Sequence, residues 1–490
     1  MKIPRARIED FLLIFLLLFA PLSLGAVHTW SYCVIAVIVL ILFDVRFLND
    51  IEAFKSIARA PVFIWMCMFA LVTFFYTVPV PAGILKLISP VSHKLRETCM
   101  PDFSSWQPLS LYPHATLIYL IKFISYAMIF FVIVSRISAK PGKYIQRGSN
   151  VRIERNFIFL GALTAILSIL FHSICDFNLH IPANALYFTV IAAIAAGISF
   201  TKKEKKEINY PFLEKLVTSI IIISFTIAIF AIIQKLSWNG KIYWLIKKAG
   251  GNYGPYINYD HFAGFMEMCV FLAIAKFMSR ISSSSFVRLK RIKEKIVWFS
   301  SKEASETLIY LFFAVVMTAS LFFSTSRGGI LSFCAALSVF YFSCVITAEK
   351  KKRNRLLLAS AMAVILMVIM IVWIGPEETV DRFKGLNKMI RFFIKEKSIL
   401  SELRPHMWKD TMALIKDFPL TGTGLGAYSC VFPAYRTFSA SWGFLRYAHN
   451  DYLQFIAEIG ICGLVFVAAF FVWYFRRFKE CLRSLGKFSG

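Results

Sequence analysis

The sequence predicts an all-α membrane protein of about twelve transmembrane helices with one long outer loop of short helices, and three observations predict it. Apolar side chains make up 58% of the 490 residues against 17% charged ones, with a mean hydropathy of +0.65, a balance that no ordinary soluble globule has. The apolar residues gather into runs of bilayer-crossing length. Between the runs, alternate connectors are rich in lysine and arginine, which marks a fixed orientation in a membrane.

Lys2, Arg5 and Arg7 precede FLLIFLLLFAPLSLGAV, which mimics a secretory signal. No convincing small-x-small cleavage site follows and further spans come at once, so the stretch reads as a retained first span. Apolar runs then recur near residues 30 to 47, 61 to 79, 115 to 135, 157 to 175, 183 to 200, 216 to 236, 258 to 279, 306 to 324, 329 to 347, 355 to 375 and 452 to 475. Every other connector is basic, beginning with Arg46, Lys55 and Arg59 and ending with Arg476, Arg477, Lys479 and Arg483. Both termini are therefore expected on the cytoplasmic side. The expected organisation is an N-terminal membrane region over 1–200 with about six spans, a central region over 201–375 with about five, a long outer loop over 376–451, and a last span with a cytoplasmic tail over 452–490.

A net charge of +27 would suggest nucleic acid in a soluble chain. Here the charges sit in short clusters between apolar runs, where topology accounts for them, so the expected partner is the lipid bilayer and not nucleic acid. The ten cysteines show no CxxC or metal-like spacing, and most fall inside expected spans, which leaves no disulfide or zinc framework to argue. Cys99 and Cys430 both fall in outer loops.

Four polar segments share the outer side: Asp176 to Pro182, Gly254 to Gly264, Ser324 to Gly329, and the loop ending in His449-Asn450-Asp451. Each precedes or opens a helix that enters the membrane. Pro182 suits a first helical turn, Gly328-Gly329 permits close approach to Ser326-Arg327, and Asp451 with Gln454 three positions on reads as a capping box. Helix N-termini facing one cavity form an anion site, and Arg327 strengthens it because a guanidinium can grip two phosphate oxygens. A phosphate-bearing ligand at the outer membrane interface is the expected guest.

Residue types then suggest chemistry. His449, beside a positive helix end, suits a neutral general base, or it serves only as a cap. Arg327 binds phosphate or snorkels to the membrane edge; Arg404, which opens a short amphipathic helix, is either functional or a surface residue. Arg382 lies in VDRFKGLNKMIRFFIKEK, whose apolar stripe reads as a helix on the membrane surface facing lipid headgroups. Asp176 with His180, and Asp260 with His261, are relay pairs or polar residues at helix ends. Gly422-Thr423-Gly424-Leu425-Gly426 lacks the preceding strand of a nucleotide fingerprint and reads as a mobile turn. Paired carboxylates, a Gly-x-Ser-x-Gly elbow and a His-Glu-x-x-His run are missing from the pattern, which argues against hydrolases and zinc proteases, and the missing Asp-x-Asp pair points to metal-independent chemistry. No cofactor or metal is expected.

Ser324-Thr325-Ser326-Arg327-Gly328-Gly329-Ile330-Leu331, Arg404 with Trp408, Asp417-Phe418-Pro419-Leu420 with the glycine turn, and Ala448-His449-Asn450-Asp451-Tyr452-Leu453-Gln454 followed by Glu458, Gly460 and Gly463 resemble the bacterial O-antigen ligase and polymerase superfamily, in order and spacing, over roughly residues 210 to 475. The segment around Asn258 and Phe262-Ala263 is similar to an outer-face motif of that family, with Asp260 standing where Asn is expected. Asp176 to Ala185 is similar to a segment that one branch carries after the His-Asn-Asp motif; here it comes well before it.

The resemblance implies a metal-independent, inverting glycosyltransferase of the inner membrane, multi-pass, with the long loop periplasmic. Its donor would be a glycan on undecaprenyl pyrophosphate, and its acceptor a lipid A core sugar, another glycan or a protein hydroxyl. On that pattern His449, Arg327 and Arg404 are the catalytic residues, with Arg382, Ser326, Asn258, His261, Asn450 and Asp451 binding substrate. O-antigen ligase is the first reading and O-antigen or exopolysaccharide polymerase the alternative. A lipid-linked sugar transporter and a non-catalytic assembly scaffold are the rivals from other classes, the former disfavoured by the scarcity of charge within the expected spans.

Overall fold

A computed structural model gives the fold and describes residues 5–99, 105–139, 149–204, 207–247, 251–347, 404–438 and 445–486. The helices before the long loop are α1 (Arg5–Leu22), α2 (Thr29–Asn49), α3 (Ile51–Ala58), α4 (Pro61–Phe75), α5 (Ala82–Ile88), α6 (Pro90–Cys99), α7 (Pro113–Ser138), α8 (Ser149–His172), α9 (Pro182–Lys203), α10 (Tyr210–Leu236), α11 (Tyr259–Ser283), α12 (Ile292–Trp298), α13 (Lys302–Phe323) and α14 (Arg327–Thr347). Then come the loop helix (Arg404–Asp417), a single turn at Tyr428–Val431 and the last helix (Asp451–Gly486).

Among the described residues, nine helices are long and apolar enough to cross a membrane: α2, α7, α8, α9, α10, α11, α13, α14 and the last helix. Each lies on an expected run. Two other expected runs are less regular. The first turns of α1 carry Glu9 and Asp10, which are neutralised across the bundle: Arg136 of α7 reaches both carboxylates, and Lys215 of α10 lies 2.6 Å from Asp10. The run at 61 to 79 becomes α4, only 15 residues long. That is about 22 Å, less than a hydrocarbon core. It meets α3 at an 81° bend, where Pro61 opens the second helix. The run at 355 to 375, Arg382 and the loop up to residue 403 lie outside the described residues.

α8 and α11 form the centre. Their axes approach closely because Gly161 has no side chain to hold them apart: a Cβ there would lie 2.6 Å from the Ala275 Cβ and 2.7 Å from the Phe271 carbonyl oxygen. α9, α13 and α14 pack around this pair, while α7 covers α9 and α2 covers α7. Large apolar side chains such as Ile222, Phe312, Val315, Val472 and Phe475 point outward, as lipid-facing helices require. At one end of the bundle the last turn of α8 meets the first turns of α9, α11, α14 and the last helix.

The last helix breaks where it leaves that end. Gly460 has φ 63° and ψ −149°, a backbone conformation that favours glycine, and the carbonyls freed by the break are taken by the glycine turn. Thr423 N–H donates to the Ala457 carbonyl at 3.0 Å, Gly424 N–H to that of Glu458 at 2.8 Å, and Ile461 N–H to that of Pro419 at 2.9 Å. The turn expected to be mobile is therefore a packed brace: a Cβ on Gly422 would lie 2.4 Å from the Glu458 backbone. Its glycines allow two backbones to touch.

Candidate functional site

The site grows from the turn between α8 and α9. Asp176 is fully buried there, and its backbone N–H closes on the His172 carbonyl at 3.1 Å. Asn178 and Asn184 hold the turn against α11: Asn184 Nδ2 donates to the Asn178 Oδ1 at 3.1 Å and to the His261 carbonyl at 2.9 Å. Gly264 makes the fit possible, since a Cβ there would meet the Asn178 oxygen at 2.4 Å. Pro182 then starts α9 as the sequence predicts.

Onto this turn docks the His-Asn-Asp motif. Asp451 N–H donates to the Ser173 carbonyl at 2.9 Å, and His449 takes a positive φ of 50°, sparsely populated for a side chain with a Cβ. That backbone turns the imidazole toward Asp176, so that Nδ1 donates to Oδ1 at 3.1 Å. The Phe177 ring meets both His449 and His261 edge-on, each at 4.7 Å between centroids, and stacks on Tyr447 at 4.3 Å. His261 is buried, with Nε2 3.9 Å from the second Asp176 oxygen, beyond hydrogen-bond reach.

Burial alone would raise the Asp176 pKa. The bond from His449 and the charges of His261, His449 and Arg404 outweigh it and hold the carboxyl well below its usual range. A carboxylate fixed on Nδ1 leaves Nε2 as the basic nitrogen of His449. That side chain is 28% exposed, and no described residue hydrogen-bonds to its Nε2.

Ser326, Arg327 and Arg404, the residues expected at a phosphate site, lie at neighbouring helix starts. Ser326 caps α14, its Oγ accepting from Gly329 N–H at 3.2 Å while donating to Asp260 Oδ1 at 2.6 Å. Arg404 Nη2 donates to the other Asp260 oxygen at 3.2 Å. Arg327 is the first residue of α14. Gly328 and Gly329 allow that helix end to sit on α8 and α11: Cβ atoms there would come within 2.8 Å of Cys175 Sγ and 2.6 Å of the Ala263 Cβ. Burial pushes the Cys175 thiol up to about 12 against the charge of Arg404, so Cys175 is a neutral wall and not a nucleophile. Beneath the glycines, His172 Nδ1 donates to Glu267 at 3.1 Å, and Glu267 also accepts from Ser168 at 3.0 Å.

One expectation is corrected. The last helix is capped by Asn450, whose Oδ1 accepts from Leu453 N–H at 3.0 Å, and not by an Asp451 to Gln454 box. Asp451 is drawn away by His180, whose Nδ1 donates to it at 2.6 Å, and by Leu179 N–H at 3.1 Å; Gln454 instead accepts from Ala448 N–H at 3.0 Å. Burial disfavours the His180 imidazolium, yet the bond to Asp451 and its charge prevail and raise the His180 pKa. Asn258 serves as the cap of α11, accepting from Asp260 N–H at 2.8 Å. Cys99 and Cys430 are both free thiols. Among the described residues no group of three His, Cys, Asp or Glu side chains is arranged to hold a metal ion.

Residues 312–468 match the family model described as O-antigen ligase. The chain carries an O-antigen ligase domain. No characterised protein and no solved structure matches it in the same comparisons. The ligase domain contributes Arg327, Arg404 and His449, whereas Asp176, His180, Asp260 and His261 precede it in sequence, so the cluster is completed by helices outside the matched segment. With nine helices among the described residues long and apolar enough to cross a membrane, the match supports a multi-pass inner-membrane protein with glycosyltransferase-like activity, a type that implies a lipid-linked glycan and an acceptor as partners.

Proposed function

We propose that the protein transfers a glycan from undecaprenyl pyrophosphate to an acceptor hydroxyl at the periplasmic face, as an O-antigen ligase, with both termini in the cytoplasm. One observation carries this reading: the His449 imidazole, held on a buried carboxylate through one nitrogen with the other unclaimed by described residues, belongs to the same cluster as Arg404 and the N-terminus of α14.

Nε2 of His449 takes the proton of the acceptor hydroxyl as its oxygen attacks the anomeric carbon from the face opposite the carrier. The bond between that carbon and the pyrophosphate oxygen breaks, and undecaprenyl pyrophosphate leaves with the electron pair. Arg327 and Arg404, with Arg382 as a further contact, meet the charge gained by the leaving group, and the first amides of α14 add to it. Asp176 keeps the imidazole in the correct tautomer and stabilises the imidazolium that forms. No metal takes part in this scheme. On this reading Ser326, Asn258, His261, Asn450 and Asp451 bind or position the substrate.

The test is transfer by the purified protein in proteoliposomes, with the product's anomeric linkage read by nuclear magnetic resonance. Inversion is expected, and retention would overturn the mechanism. The choice of acceptor is read in cells from which the gene is deleted. Capped long chains accumulating on the carrier support a ligase; single repeat units would show a polymerase.

A further inference from the structure

At the end of the bundle away from His449, the first turns of α8, the last turn of α9 and the tail of the last helix enclose a cationic notch. Lys202 Nζ donates to Ser484 Oγ at 2.9 Å and to Asn156 Oδ1 at 3.4 Å, and lies 5.0 Å from the centre of the Phe159 ring. Arg155, one turn before Phe159 on α8, is close enough to act on Lys202 electrostatically. Its Nε is buried and has no hydrogen-bond partner. Arg477 closes the third side; it pairs with Glu480 at 2.7 Å, and its own Nε is likewise buried without a partner.

Among the described residues the acids do not balance this charge. Glu480 faces Arg477 and Ser199, and Glu154, next in sequence to Arg155, is turned to Lys276. Two half-buried cations side by side, with Glu480 acting on Lys202 only from beyond hydrogen-bond distance, are costly, because each is partly stripped of water and repels the other. An anion with several acceptor oxygens removes that cost, and a guanidinium beside an ammonium suits phosphate. The ends of membrane-crossing helices form the notch, with an aromatic ring under the lysine, so the phosphate within reach is that of a membrane lipid.

We propose that this notch binds the phosphate headgroup of an anionic glycerophospholipid, tying the tail of the last helix to α8 and α9 at the opposite end from the transferase cluster. The site is independent of the glycan chemistry.

The test is thermal unfolding of the full chain in detergent micelles, titrated with phosphatidylglycerol, phosphatidylcholine or inorganic phosphate. Phosphatidylglycerol is expected to raise the midpoint by several degrees and the other two little. R155Q/K202Q is expected to lose that rise, whereas K290Q/K293Q, with one charge removed from the exposed connector between α11 and α12 and one from the exposed first turn of α12, keeps it. An unchanged rise in R155Q/K202Q, or an equal rise with phosphatidylcholine, would overturn the site; an equal rise with inorganic phosphate would overturn the lipid as its source. If the double variant does not fold, R155Q alone decides the residue and the wild-type titrations decide the ligand.

Discussion

His449 presents Nδ1 to the Oδ1 of Asp176 at 3.1 Å, across 273 residues of sequence. Replacing the carboxylate by an amide keeps the volume but allows the ring to turn or to take the other tautomer. Asp176→Asn is expected to slow glycan transfer by about 10²-fold or more, within the usual range for general-base catalysis. Adding His449→Ala to Asp176→Asn should cost far less than the product of the two single effects, because the pair acts as a unit. Full multiplicativity in a double-mutant cycle would show that the contact has no catalytic role.

His180 and Asp451 form a second pair beside the first, which pins the start of the last helix to the turn before α9. The folded state raises the His180 pKa, so the pair's contribution is complete below the unfolded histidine pKa and is lost as pH rises through the higher folded value. Thermal unfolding of wild type and His180→Gln across that range checks this. The gap between them should be widest at mildly acidic pH and narrow toward alkaline pH. A gap independent of pH would remove the charge from the account.

Gly329 lies where a Cβ would come within 2.6 Å of the Ala263 Cβ and 3.3 Å of His172. Gly329→Ala is expected to cost about 1–3 kcal/mol, the usual price of overpacking, and to push the start of α14, with Arg327, away from Asp260. The matched measurements are unfolding in detergent and the KM for the lipid-linked donor, which should rise. Wild-type values for both would mean that α14 does not need its present seat.

Hydropathy made the spans legible, because a bilayer punishes any other arrangement of α2, α7 to α11, α13, α14 and the last helix. Residue types also pointed to His449, Arg327 and Arg404, which open or precede helices at the same end of the bundle. Their partners were not legible: nothing local ties Asp176 to His449 or Asp260 to Arg404, and both pairings are set by helix packing over long stretches of chain. The cap was misread for a related reason. Asn450 and Asp451 are equally able to cap, and only the distant His180 decides between them. The glycine turn announced positive φ angles but not the broken helix at Gly460 that those angles serve. A steric contact at Ala263 or a freed carbonyl at Glu458 leaves no mark in composition.

The most direct measurement is transfer from undecaprenyl pyrophosphate-linked glycan by purified His449→Ala in proteoliposomes, with donor binding measured on the same preparation. The account predicts that donor binding persists at close to wild-type affinity while transfer falls by about 10²–10⁴-fold, as loss of a general base requires. A folded His449→Ala protein that binds donor and transfers glycan at the wild-type rate would contradict it.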